Sequence, residues 1–99
     1  MTREAIRLVD PRDLRMPPSR SGGADPWKLQ QQIRQFGESL DTIPPILVYE
    51  DPEGNLEIMD GVTRAFRAAK LAAGRLVPVI VIGRYERKRP DSVLLRDLL

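Results

Sequence analysis

The sequence predicts a small α+β domain in which a mixed β-sheet carries packed helices, with the element order β-α-β-β-α-β-α. Two observations predict this class. Apolar residues at helical spacing alternate along the chain with short β-branched runs, and Gly and Pro separate these segments. The 99 residues are 41% hydrophobic and 30% charged, which is typical of a single domain covering residues 1–99.

The first half of the chain predicts a strand, a loop and a helix. Residues 5–10, "AIRLVD", alternate apolar and polar side chains, and residues 11–25 contain three prolines and two glycines, so we expect a flexible loop there. Asp25-Pro26 predicts a capped helix start, with Trp27 expected to pack over the loop. Gly37 is expected to end this helix. Its apolar face is Leu29, Ile33, Phe36 and Leu40.

The second half predicts a hairpin, a helix and a further strand. The run "PPILVYED" from residue 44 and "LEIMD" at 56–60 flank the turn residues "PEGN", as in a β-hairpin. After Gly61, residues 63–73 are rich in helix formers and end at Gly74. "LVPVIVIG" at 76–83 predicts a strand covered on both faces, except that Pro78 restricts its first half to an edge or unpaired position.

Residues 84–99 are expected to form a basic connector, "RYERKRP", and a C-terminal helix. The helix is predicted from the spacing of four leucines, which either complete the core or form a seam for a homodimer or another protein. The basic side chains either contact nucleic-acid phosphates, pair with the acidic hairpin turn or remain solvated. The leucines are Leu94, Leu95, Leu98 and Leu99, and the basic residues are Arg84, Arg87, Lys88 and Arg89.

Composition excludes several kinds of chemistry. Cysteine and histidine are both absent, which removes disulfides, thiolate chemistry and the commonest neutral-pH acid/base and metal ligand. The net charge is only +2, although arginine supplies 13 of the 16 basic residues and its planar fork suits phosphate. The sequence contains neither a signal-peptide core nor an apolar run long enough to cross a bilayer, so we expect a cytoplasmic protein without membrane contact.

The stretch "DGVTR" at residues 60–64 is the main candidate site. A glycine there lets a ligand approach the backbone, and the helix that follows offers unpaired N–H groups to an anion. Thr63 adds a hydroxyl, Arg64 adds a charged fork, and Arg67 lies on the same helix face. The alternative is an ordinary glycine turn with a capping threonine and a solvated arginine face.

The order of these motifs resembles the N-terminal domain of the ParB/sulfiredoxin superfamily. The matching segments are "PPILV", "LEIMDG", "GVTR" and "VPVIV", preceded by "LQQQIRQFG" and "AIRLVDPRDL". The resemblance implies a ParB-like fold that binds nucleotide phosphates, with Gly61 as the close-approach glycine and Arg64 as the phosphate contact. It also implies that Asp60 is the acidic residue preceding that glycine.

Departures from the family pattern limit the expected activity. Sulfiredoxins use a cysteine in this turn, so the resemblance implies no such reductase activity here. Partition-type ParB proteins commonly carry glutamate after the glycine, where this chain has Val62, and an apolar side chain cannot polarise water. The matching segments do not include the helix-turn-helix DNA-binding element of those proteins. We therefore expect non-catalytic or weakly catalytic binding, of a nucleoside triphosphate with Mg²⁺ as one possibility.

Two other functions stay open at this stage. One is a protein-interaction or regulatory adaptor that has lost its ligand, and the other is a DNA-binding or nuclease-like ParB domain acting through the basic segments. Acidic residues around the hairpin turn, at positions 50–57, are a weaker candidate for a divalent cation, because Pro52 and Gly54 indicate a solvent-facing tip.

Overall fold

A computed structural model describes residues 6–20, 22–37, 43–89 and 91–99 of the chain. It contains a mixed six-stranded sheet and two α-helices, as the α+β prediction requires. The strands are β1 (Ile6–Val9), β2 (Arg15–Met16), β3 (Ile46–Glu50), β4 (Leu56–Asp60), β5 (Val77–Arg84) and β6 (Val93–Leu94). The helices are α1 (Pro26–Phe36) and α2 (Val62–Leu71), and short 3₁₀ turns cover Pro11–Asp13, Pro18–Arg20 and Leu95–Leu98.

The sheet has the strand order β1-β5-β3-β4-β2-β6. The β3–β4 hairpin is antiparallel, as predicted, whereas β3 pairs with β5 in parallel, beginning at the pair Ile46–Val79. Pro78 lies just before this pairing begins and opposite Leu8 of β1, so its missing N–H does not interrupt the β3–β5 ladder. Strand β5 is therefore internal, with β1 alone beside its first two residues.

Helix α1 begins and ends at the residues that the sequence predicts. The Asp25 carboxylate accepts hydrogen bonds from the amides of Trp27 and Lys28, Pro26 occupies the first helical position, and Gly37 ends the helix at φ 57°. Leu29 is buried, but Trp27 is 68% exposed. The prediction that Trp27 packs over the preceding loop is therefore wrong. Leu40, the last residue of the predicted apolar face, lies outside the described residues.

The core lies between the two helices and one face of the sheet. Phe66 and several alanines of α2 pack here, and the small alanine side chains let the helix lie close to the strands. On the opposite face of the sheet, Ile6 and Leu8 of the edge strand β1 are 59% and 64% exposed. The fully buried larger side chains are Leu14, Met16, Ile46, Ile58, Leu95, Val48, Val77, Val79 and Pro11.

The structure corrects two parts of the predicted order. Residues 11–25 were expected to be an irregular loop, yet β2 forms within them and Leu14 and Met16 enter the core. The predicted C-terminal helix is wrong, because residues 93–98 form β6 and a 3₁₀ turn. Leu95 is completely buried and its amide donates to the Leu14 carbonyl, so this end of the chain belongs to the sheet and core rather than to a free helical seam.

Candidate functional site

The turn between β4 and α2 consists of one residue, Gly61. Its φ of 105° lies in the left-handed region, which a glycine adopts without the steric cost of a Cβ, as the sequence predicts. Helix α2 begins at Val62 rather than at Thr63, and no side chain caps it. The first N–H groups of the helix therefore keep their partial positive charge, which favours an anion in front of them.

The Arg64 side chain folds back over this turn. Its Nη2 donates to the Pro45 carbonyl at 3.2 Å and lies 3.8 Å from Oδ2 of Asp60. A Cβ placed on Gly61 would come within 2.8 Å of the same Nη2, so the close approach that the glycine permits is made by Arg64 itself. Arg64 Nε is buried without a hydrogen-bond partner among the described residues, which leaves one donor unused.

A pocket of about 160 Å³ opens at the mouth of α2. Residues 59–64 form one wall, and Arg20, Lys28 and Gln32 form the other. Three elements thus bring three cationic side chains together: the Pro18–Arg20 turn, α1 and α2. Among the described lining residues Asp60 is the one carboxylate, and its side chain is 70% exposed, so water screens its charge.

Gln32 lines this pocket and carries one unpaired polar atom. Its Oε1 is buried and has no hydrogen-bond partner in the part of the chain that the structure describes. Burying such a group without a partner costs about 1–3 kcal/mol. Rotation of the carboxamide by half a turn would exchange this oxygen for the NH₂ donor.

The sequence did not predict Arg20, Lys28 or Gln32 as site residues. Lys28 and Gln32 are four residues apart on α1 and therefore share a face, which was a usable signal once the helix was assigned. Arg20 gave no local signal, because the Pro18–Arg20 turn brings it to the pocket.

Arg67 does not line this pocket, in contrast to the prediction that it assists Arg64. It is only 3% exposed, its Nη1 donates to the Gly37 carbonyl at 3.2 Å, and its guanidinium lies 5.1 Å from the centre of the Phe36 ring. Burial lowers the pKa of its guanidinium below the ordinary value. These contacts join the C-terminal end of α1 to α2.

The basic segment that begins at the last residue of β5 pairs with the acidic hairpin, one of the alternatives that the sequence left open. Arg84 pairs with Glu50, Lys88 Nζ lies 3.4 Å from Glu53 Oε2, and Arg89 Nε lies 3.9 Å from Glu57 Oε1. The hydrogen bond from Arg7 and the nearby charges of Arg7 and Arg84 hold the pKa of Glu50 below its ordinary value.

A phenol and a carboxylate form the most buried polar contact beneath this segment. Tyr85 donates its hydroxyl to Glu57, which is 3% exposed, and the guanidinium of Arg89 stacks 4.5 Å from the Tyr85 ring centre. Burial and the bond to Glu57 raise the pKa of Tyr85 to about 12. The two groups thus fix the connector to β4.

Hydrogen bonds between its own residues hold the acidic hairpin turn. Burial opposes ionisation of Asp51, but hydrogen bonds from Asn55 and from the Glu53 amide lower its pKa overall. Among the described residues no group of three or more Asp, Glu, His or Cys side chains is arranged to hold a metal ion. The cation site considered for this turn therefore gains no support from the structure.

Comparison of the chain with models of known protein families and with characterised proteins found no match. The ParB/sulfiredoxin resemblance accordingly stays a prediction from the sequence. Across the described residues, neither helix has the length and apolarity needed to span a membrane.

Proposed function

We propose that this domain is a ParB-like module that binds phosphate groups, including those of nucleotides, at the pocket in front of α2. One observation carries the proposal: Arg20, Lys28 and Arg64, from three separate elements, meet at the uncapped start of a helix. A phosphate placed there receives backbone N–H bonds, the favourable end of the helix dipole and charge-assisted bonds from the three cations.

The proposed binding is non-catalytic or weakly catalytic. Val62 is 7% exposed and belongs to the core, so the residue after the glycine offers neither a base nor a metal ligand. Asp60 is the carboxylate of the pocket lining that can assist a Mg²⁺ ion already bound to a triphosphate.

Calorimetric titration with a panel of nucleoside triphosphates, with and without Mg²⁺, tests this function. We expect saturable binding, weakened in Arg64→Ala by about 1.5–3 kcal/mol, the cost of losing a hydrogen bond to a charged group. Because Arg64 also holds the Pro45 carbonyl, Lys28→Ala serves as a second variant on an exposed side chain. The exposed Arg34 of α1 lies outside the pocket lining, so Arg34→Ala removes the same charge as a control.

Absence of binding at millimolar ligand by the unaltered protein would overturn the proposal. The adaptor alternative predicts that result, and a strictly monomeric protein that captures nothing in a pull-down would argue against the adaptor in turn. DNA contact through residues 84–89 is less favoured, because three of their four basic side chains already pair with hairpin carboxylates. A gel shift at low and moderate salt tests it.

A further inference from the structure

The pocket in front of α2 is too small for a whole nucleotide. Its volume is about 160 Å³. Pockets that enclose drug-sized ligands usually measure about 300–1,000 Å³. A phosphoryl group has only four heavy atoms and fits inside, whereas a base and a sugar must remain outside.

The charge of the lining matches one phosphate group. Among the described residues of the lining, three cationic side chains and one carboxylate leave a surplus of two positive charges. A phosphate monoester carries about −1.5 to −2 at pH 7, whereas a triphosphate exceeds the surplus. The charge balance therefore favours one terminal phosphoryl group over a fully enclosed triphosphate.

The lining offers no surface suited to reading a base. Its apolar members are Met59 and Val62, and the latter is already packed in the core. In the part of the chain that the structure describes, none of the residues that line the pocket is aromatic, so none of them offers a ring to stack on a base. The remaining members are charged or polar groups or the glycine of the turn.

We infer that the site recognises its ligand through one terminal phosphoryl group alone and does not discriminate the base attached to it. This inference rests on the proposed function and specifies its ligand class. The phosphoryl group occupies the space between Lys28, Arg20 and the first amides of α2. The rest of the ligand leaves the pocket past the exposed side chains of Met59 and Asp60.

Competition calorimetry with inorganic phosphate and four nucleoside monophosphates tests the inference. We expect the four dissociation constants to agree within about threefold, inorganic phosphate to compete with all of them, and the unphosphorylated nucleosides to give no binding heat. Lys28→Ala should raise the dissociation constant of every phosphorylated probe to the same degree, by about threefold to tenfold, while Arg34→Ala leaves all of these constants unchanged.

Two results would overturn the inference and leave the proposed function in place. The first is a tenfold or greater preference for one base. The second is binding of monophosphates that inorganic phosphate cannot displace. If no phosphorylated probe binds, with the triphosphates included, the proposed function fails and the inference fails with it.

Discussion

Replacing Gly61 by alanine perturbs the backbone and Arg64 at the same point. The φ of 105° is strained for any residue with a Cβ, which costs about 1–3 kcal/mol. In addition, the new methyl would lie 2.8 Å from Arg64 Nη2 and 3.2 Å from Cγ1 of Ile46. The guanidinium must then shift, because 2.8 Å is closer than a carbon atom tolerates, and we expect it to leave the Pro45 carbonyl.

Gly54→Ala separates these two effects. Gly54 has a similar φ of 86° in the hairpin turn, but a Cβ there would meet nothing within 4 Å. A hydrogen bond to a charged group contributes about 1.5–3 kcal/mol, and the Arg64 side chain is 21% exposed, so we expect an extra loss of about 1–2 kcal/mol in Gly61→Ala.

Urea unfolding of both variants measures this difference in the free energy of unfolding. For a domain of this size an extra 1 kcal/mol lowers Tm by roughly 4–8 °C, which thermal unfolding resolves. We also expect Gly61→Ala, but not Gly54→Ala, to weaken phosphate binding, because the Arg64 guanidinium, one of the three cations of the pocket, is displaced. Equal stability of the two variants would refute the role assigned to the contact between Gly61 and Arg64.

Three further predictions concern the scaffold around the site. Asp25→Ala removes the cap of α1 and should cost about 0.5–2 kcal/mol in urea unfolding; an unchanged midpoint would contradict the cap. Ultraviolet titration should show a phenol with a pKa of about 12, and this transition should disappear in Tyr85→Phe. In Glu57→Gln the pKa of Tyr85 should move only part of the way toward 10, because burial remains. A Tyr85 pKa that stays at about 12 in Glu57→Gln would count against the hydrogen bond to Glu57. Glu50 has a lowered pKa in the folded protein, so its stabilisation is present above its ordinary value of 4.5 and is lost as pH falls through the lowered value. The stability gap between the unaltered protein and Glu50→Gln should therefore close on acidification, and a gap independent of pH would exclude this coupling.

Local signals in the sequence were sufficient to predict helix α1 and the β3–β4 hairpin. Helix α1 begins and ends where the Asp25 cap and Gly37 predict, and the β3–β4 hairpin forms around the predicted turn. Strands β2 and β6 have two residues each and exist because Arg15 pairs with both Glu57 and Leu94. Such long-range pairing leaves no periodicity in the sequence, so both strands were missed.

The sequence predicted only the side of the candidate site that is formed by residues 60–64. Residues 60–64 form a continuous turn and helix start, so their proximity follows from the sequence alone. Arg20 and Lys28 reach the pocket through tertiary packing, which local patterns do not encode. Arg67 was assigned to the site from its helical spacing, but packing on Phe36 and the bond to Gly37 place it between the two helices.

Amide chemical shifts during titration with inorganic phosphate test the central claim most directly. The account predicts that the resonances of Gly61, Val62, Thr63 and Arg64 move together and saturate, because their backbone surrounds the proposed phosphate. The Lys28→Ala variant should need more phosphate to reach the same shifts. Unchanged shifts at these four amides, or changes confined to residues 84–89, would contradict the account.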